Sequence, residues 1–296
     1  MSNSTLAVTS AEEAGIVSGR LGEVVPGHTH EIGDGFTALH FSEEMFGGSM
    51  DPLLMVDDFV MTAPTFEPHL HAGISAVTAM FEDSEGAFIN RDTLGHNIGL
   101  QAGDLYWLTA ASGAVHEEHP EEGARIHALQ IFVNLPAHLK KEGARALHVK
   151  AGEVPLLEGN GYRMRVLLGR SATVVGSERT PPDMTMLDGL MEKGACFAHH
   201  LLGEQQAWIY AASGSLTIRC GDENRTLKAG SATTIRAGAG IEVVFNSSEP
   251  SHFVFIAGRP VAEPFIKHGP LVMSTVADIR RTLVGYANGE FGRIPT

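Results

Sequence analysis

Ala76–Phe81 reads AVTAMF, Glu82–Gly86 EDSEG, Ala87–Asn90 AFIN, Leu94–Asn97 LGHN, Leu105–Thr109 LYWLT and Ala124–Pro136 ARIHALQIFVNLP. Short runs rich in β-branched and aromatic residues, broken by Gly, Asp and Asn, predict an antiparallel barrel or sandwich. The same grammar returns from Ala207 to Gly258: AWIYAA, SGS, LTIRC, GDEN, TLKAGS, TTIRA, IEVVF, NSSEP and HFVFIAG. Gly86 maps onto Gly214 at an offset of 128, and Leu100-Gln-Ala-Gly103 onto Leu227-Lys-Ala-Gly230 at an offset of 127. The chain therefore reads as a duplication with one residue of slippage in a hairpin loop.

The bulk properties agree. A length of 296 residues suits two domains of roughly 100–200 residues, which we place at 1–150 and 151–296. Hydrophobic residues make up 43% and glycines number 34, enough to fill two cores and turn many hairpins. Between the copies, Pro136 to Pro182 reads as a connection followed by RMRVLLG, the opening strand of the second barrel. Near the end, Thr275 starts a capping box, with Val276, Ile279, Leu283 and Tyr286 at helical spacing before Asn288-Gly289. This predicts an amphipathic helix from Thr275 to Asn288, lying on a barrel through Val276, Ile279 and Leu283.

The formal charge of −14 repels a phosphate backbone, so direct nucleic-acid binding is not expected. Met1 to Ser10 lacks the basic and apolar regions of a signal peptide, and no apolar run is long enough to span a bilayer, so we expect a cytoplasmic protein. Cys196 and Cys220 form no Cys-x-x-Cys pattern and suggest no disulfide framework.

Histidine carries the chemistry. His69-x-His71 and His116-x-Glu118 each place two donors at i and i+2, which on a strand share one face. Three imidazoles and a carboxylate suit a divalent transition metal such as Fe, Mn, Ni, Cu or Zn, and leave coordination positions open. With fifteen histidines, one His-x-His pair arises by chance. His28-Thr-His30, in the polar run GHTHEIGDG, is read as such a pair in a solvent loop. Shifting the four candidates by the repeat offsets gives Phe197, His199, Val243 and Phe245, so three of four become apolar in the second copy and only the first holds metal. Glu117 and His119 alternate with the candidate ligands and should face away. Trp107 is read as a core aromatic.

The chain resembles the pirin family, a two-barrel branch of the cupin superfamily. The resemblance is carried by Asp51–Asp58 (DPLLMVDD), Pro68–His71 (PHLH), Arg91–Gly95 (RDTLG), Gly103–Thr109 (GDLYWLT), Gly113–Glu118 (GAVHEE), Gln130–Pro136 (QIFVNLP), Ser251–Gly258 (SHFVFIAG) and Glu263–Thr275 (EPFIKHGPLVMST). It implies an all-β fold of two antiparallel cupin (jelly-roll type) barrels in tandem with a C-terminal helix. It also implies one metal per chain on His69, His71, His116 and Glu118, with iron the first choice. Two roles are open. Some pirins resemble quercetin 2,3-dioxygenases, which open a flavonol ring with release of carbon monoxide; Glu118 would then be catalytic, taking the 3-hydroxyl proton of a chelating small-molecule substrate. Others are regulators that sense metal or redox state and bind a protein partner. A monomer is expected. Leu70 and Ala72, where pirins read Pro and Arg, and Tyr106, where they read Gln, are expected at the pocket rim.

Overall fold

The computed structural model describes residues 20–294; the reading of Met1 to Ser10 falls outside that range. Two seven-stranded antiparallel sheets dominate. The N-terminal one runs, in spatial order, Arg145–Val149, Leu105–Thr109, Ile74–Met80, Ile126–Asn134, Leu53–Met61, Phe36–Ser42 and His28–Ile32. The C-terminal one runs Val25–Pro26, Ser231–Ile235, Gln206–Ser213, Ser251–Gly258, Met184–Met191, Tyr162–Leu168 and Leu156–Gly159. Each is closed by a four-stranded sheet of matching order: His69–His71, Ala114–Pro120, Phe88–Asp92 and Asn97–Leu100 in the first half, Cys196–Leu201, Ile241–Ser247, Ser215–Cys220 and Glu223–Lys228 in the second. The expected all-β pair of cupin barrels is thus present, and the duplication extends to the backbone. Gly86 and Gly214 both turn at positive φ (79° and 72°), as do Gly103 and Gly230 (83° and 75°), a conformation glycine adopts without steric cost.

The continuous apolar runs have a physical cause. Each large sheet is covered on both faces, so alternate residues enter different cores. In Leu105–Thr109, Tyr106 and Leu108 point into the N-terminal barrel while Leu105 and Trp107 enter a core shared by the two halves. In Ser251–Gly258, Phe253 and Phe255 fill the C-terminal barrel while Val254 and Ile256 join that shared core. There Phe41 meets Trp208 and Tyr210 edge-on at 5.5 and 5.4 Å.

A polar seam borders the shared core. Arg165 donates to Asp188 at 2.9 Å and, across the halves, to the Gly103 carbonyl. Asp188 also holds His252. His127 is held by Asp58 at 2.9 Å and Asp83 at 2.8 Å, and the Tyr210 hydroxyl donates to Asp58 from the other half.

The chain ends cross over. Val25–Pro26 pairs with Ser231–Ala232 of the C-terminal sheet. The hairpin Ile266–His268 and Leu271–Met273 returns to the N-terminal barrel, where Leu271 lies beside Ala72 and the Val272 amide donates to the Ala72 carbonyl at 2.9 Å. The approach is so close at Gly73 (φ +77°) that an added Cβ would lie 1.8 Å from the Val272 carbonyl oxygen.

The C-terminal helix spans Val276–Ala287, capped by Thr275, whose hydroxyl accepts from the Asp278 amide at 3.1 Å. Its buried side differs from the expected one. Ile279, Thr282 and Gly285 are buried, whereas Val276 and Leu283 are exposed. Behind the helix the chain folds back so that Glu290 and Phe291 sit against Gly285, and the helix is turned to admit them. His28-Thr-His30 is a second correction: it is an exposed edge strand paired with Phe36–Ser42, where the hairpin gives a polar sequence backbone partners.

Candidate metal centre

His116 stands directly opposite His69 across the antiparallel pair, and His71 follows two residues along on the same face. Cross-strand neighbours bring their Cβ atoms to about 5 Å, and here the three imidazole centroids form a triangle with every side 4.8 Å. One ligand atom from each ring lies within 4.8 Å of the others. The Nε2 atoms of His71 and His116 are 3.0 Å apart. Two nitrogens bound at ~2.1 Å and at right angles to one ion are separated by about 3.0 Å, so the observed spacing fits a shared metal. His69 donates from Nδ1 to the Glu67 carbonyl at 2.9 Å, which fixes its ring and leaves the Nε2 lone pair for a ligand. Three convergent neutral imidazoles can therefore hold a metal ion.

The surroundings keep the rings neutral. Burial, then the neighbouring His69, pushes His116 down to about 3. Burial lowers His71 well below the ordinary range, with His116 and His69 adding to the effect. Burial also lowers His69, against the Glu67 hydrogen bond.

Glu118 does not belong to the 4.8 Å set. It lines the same cavity and accepts from the Thr78 hydroxyl at 2.6 Å. Burial raises its carboxyl to about 7, with the Thr78 bond pulling slightly the other way. It is thus a carboxyl poised near neutral pH.

The cavity holds about 180 Å³ and is walled by Phe36, Phe59, Phe66, Phe88 and Phe132, with Gln130 beside Glu118. Phe36 stacks on Phe59 at 5.6 Å and Phe132 meets His71 edge-on at 5.1 Å. Sequence reading missed this aromatic wall because its members come from separate strands and a loop. Leu70, Ala72 and Tyr106, expected at the rim, are not among its lining residues. Leu70 alternates with the two histidines and points to the opposite face, into a cluster with Leu271, Met273 and Ile279. Ala72 is in the same cluster, and Tyr106 lies inside the barrel with its hydroxyl on Asp92. As expected, Glu117 faces away and pairs with Arg91, and Trp107 is core.

The second copy requires one correction. Strand pairing sets His199 opposite Val243, as His69 stands opposite His116. The counterpart of His69 is therefore His199, and that of His71 is Leu201, two residues further on than the offset gave. The loop after this strand differs in length between copies. One histidine still survives, beside the apolar Leu201, Val243 and Phe245.

Family models match both halves: Pirin over residues 20–133 and the Pirin C-terminal cupin domain over 186–292. A pirin-like protein of Solanum lycopersicum is 30% identical, covering 82% of this chain and 83% of its own length. The chain belongs to the pirin family. Among solved structures, a quercetin 2,3-dioxygenase from Acinetobacter baumannii superposes with a TM-score of 0.79 at 27% identity, covering 92% of this chain and 98% of the other. A bacterial pirin from Escherichia coli, in complex with nickel(II), shares the fold with a TM-score of 0.62 at 17% identity, covering 80% of this chain and 100% of the other. No helix among the described residues is long and apolar enough to cross a membrane.

Proposed function

We propose that this pirin is an oxygen-dependent metalloenzyme of the quercetin 2,3-dioxygenase type, acting on an aromatic substrate that chelates its metal. The observation that carries the reading is the three-imidazole triangle beside a carboxyl raised to about 7, inside a cavity walled by five phenylalanines. The likeness to the Acinetobacter baumannii dioxygenase supports it. His69, His71 and His116 would hold the ion, iron being our first choice and nickel(II), bound by the Escherichia coli pirin, the next. When bound, such an ion supplies Lewis acidity toward a chelating enolate and a redox centre for dioxygen.

The protein's own groups do the rest. Glu118 accepts the hydroxyl proton of the substrate, and Thr78 holds the carboxyl in place. The Glu67 carbonyl keeps the His69 ring from rotating. The phenylalanine faces stack on the substrate ring and keep water from the reacting atoms. At about 180 Å³ the cavity is below the ~300–1,000 Å³ of ordinary ligand pockets, so it takes one ring rather than a whole flavonol.

Oxygen uptake by protein reconstituted with Fe, Ni, Mn, Cu or Zn, against catechols and flavonols, tests this. We expect Glu118→Gln to keep its metal and lose about 10²–10⁴-fold in turnover, and His116→Ala to lose both. No oxygen consumption with any metal and any chelating phenol would sink the enzyme reading and leave a metal-dependent binding surface in its place.

A further inference from the structure

A second cavity, larger than that at the metal centre, lies in the other half of the molecule. It holds about 620 Å³ and is lined by His199, Gln205, Thr185, Arg170, Glu178 and Leu202, among others. That volume is within the range of small-molecule sites, and it opens beside the one histidine the second copy retains.

Its floor is polar. Gln205 is 8% exposed and Thr185 7% exposed, and neither side chain hydrogen-bonds to a described residue. Their polar atoms are not sealed in the core but open onto the cavity, free to bond a molecule that enters it. His199, 5% exposed, has its Nδ1 3.0 Å from the Ser171 hydroxyl. That contact occupies Nδ1 and leaves Nε2 without a protein partner among the described residues. Burial, with the adjacent His200, holds the ring neutral by lowering it to about 4.

The floor thus offers an imidazole nitrogen, an amide and a hydroxyl. Around them Arg170 faces Glu178 at 3.9 Å, and Asp183 adds a further carboxylate. Donors and acceptors alternate, and the charged lining groups sum to a small negative excess that disfavours an anion. His199 and His200 both line the cavity, but as strand neighbours they face opposite ways, and among the described residues no three metal-ligating side chains converge there.

We propose that the C-terminal barrel carries a second, metal-free site for an uncharged polyhydroxylated small molecule. Its oxygens accept from the Gln205 amide and Arg170, its hydroxyls donate to Glu178 and Asp183, and one hydroxyl pairs with His199 Nε2 in either direction. Leu202 and Met184 cover its carbon face. Nothing in this proposal depends on the activity assigned to the N-terminal half.

The test uses the full chain labelled with ¹⁵N in the histidine rings, titrated with D-glucose and myo-inositol, and with gluconate and glucosamine as charged analogues. We expect saturable displacement of the His199 Nε2 resonance by at least one uncharged probe. Gluconate should bind at least about tenfold more weakly, since the mismatched charge costs of order 1.4 kcal/mol, a factor of ten. Gln205→Leu should weaken binding by about tenfold or more for the same reason of one lost charge-free partner, and Thr185→Val, a smaller change, provides the same readout if Gln205→Leu does not fold. Metal content should be unchanged in both. The proposal is overturned if neither uncharged probe saturates the signal, if gluconate binds more tightly than D-glucose, or if the folded variants bind as the parent does.

Discussion

Asp188→Asn keeps the shape of the seam between the barrels and removes one charge from it. Arg165 is 2% exposed and Asp188 6%, and they meet at 2.9 Å while Asp188 also holds His252. The asparagine would leave a buried guanidinium facing a neutral amide, and orphaning one partner of a buried pair costs about 3–5 kcal/mol. Glu82, 3.8 Å from Arg165 but 42% exposed, remains as a screened counter-charge, so the lower end, about 3 kcal/mol, is expected. Trp107 and Trp208 both lie in the shared core, so tryptophan fluorescence in urea reports on this region. With a slope near ~3 kcal/mol/M, the midpoint should fall by about 1 M. The double variant Arg165→Met/Asp188→Leu should recover most of that loss, because an apolar pair of similar volume is often as stable as a buried ion pair. A loss below about 1 kcal/mol for Asp188→Asn, or a double variant no better than the single one, would refute this account.

Gly73→Ala forces a Cβ to 1.8 Å from the Val272 carbonyl at a backbone angle that alanine resists. We expect a loss of about 2–4 kcal/mol and, in limited proteolysis, early cleavage between residues 260 and 275. In metal-free protein, His116 has a folded value of about 3 against 6.5 unfolded. Unfolding therefore takes up a proton below pH 6.5, and stability falls as pH drops toward 3. Glu118, raised from 4.5 to about 7, acts in the opposite sense, favouring the folded state as pH falls from 7 to 4.5. The clean window is therefore pH 3–4.5, where urea midpoints of His116→Val should vary less than those of the parent. A divalent transition metal at ~1,000 times its Kd should add about 4 kcal/mol, a rise of roughly 10 °C in Tm that calorimetry should find missing in His71→Ala.

How much of this was legible in the sequence depended on which contacts are local. Strand alternation exposed the residues of the candidate site, because His69 and His71 on one strand and His116 and Glu118 on another each reveal a shared face within three residues, although only the three histidines converge. The same alternation shows that Leu70 must point away from the cavity, and the expectation that put it at the rim followed family resemblance instead. Tyr106 was harder: all five residues of its strand are buried, so no polar face marks an inside and an outside. The phenylalanine wall required knowing which strands meet, which is set by long-range pairing. The helix illustrates the same limit. Its apolar stripe was readable, but the turn that buries Thr282 and leaves Leu283 outside depends on Phe291 folding back.

The crossed chain ends carry a consequence for biosynthesis. A chain leaves the ribosome from its N-terminus, so residues 69–118, with every imidazole of the triangle, emerge long before Leu271–Met273. Until that last hairpin arrives, the outer face of His69–His71 lacks Leu271 and Met273, and the Ala72 carbonyl lacks the Val272 amide. The first barrel to be translated is therefore the last to be finished. A newly made molecule passes through an interval in which the three imidazoles of the candidate metal centre are present but their backing is not. Val25–Pro26 must meanwhile wait for Ser231–Ala232 to be made, so neither half reaches its final form before the other exists.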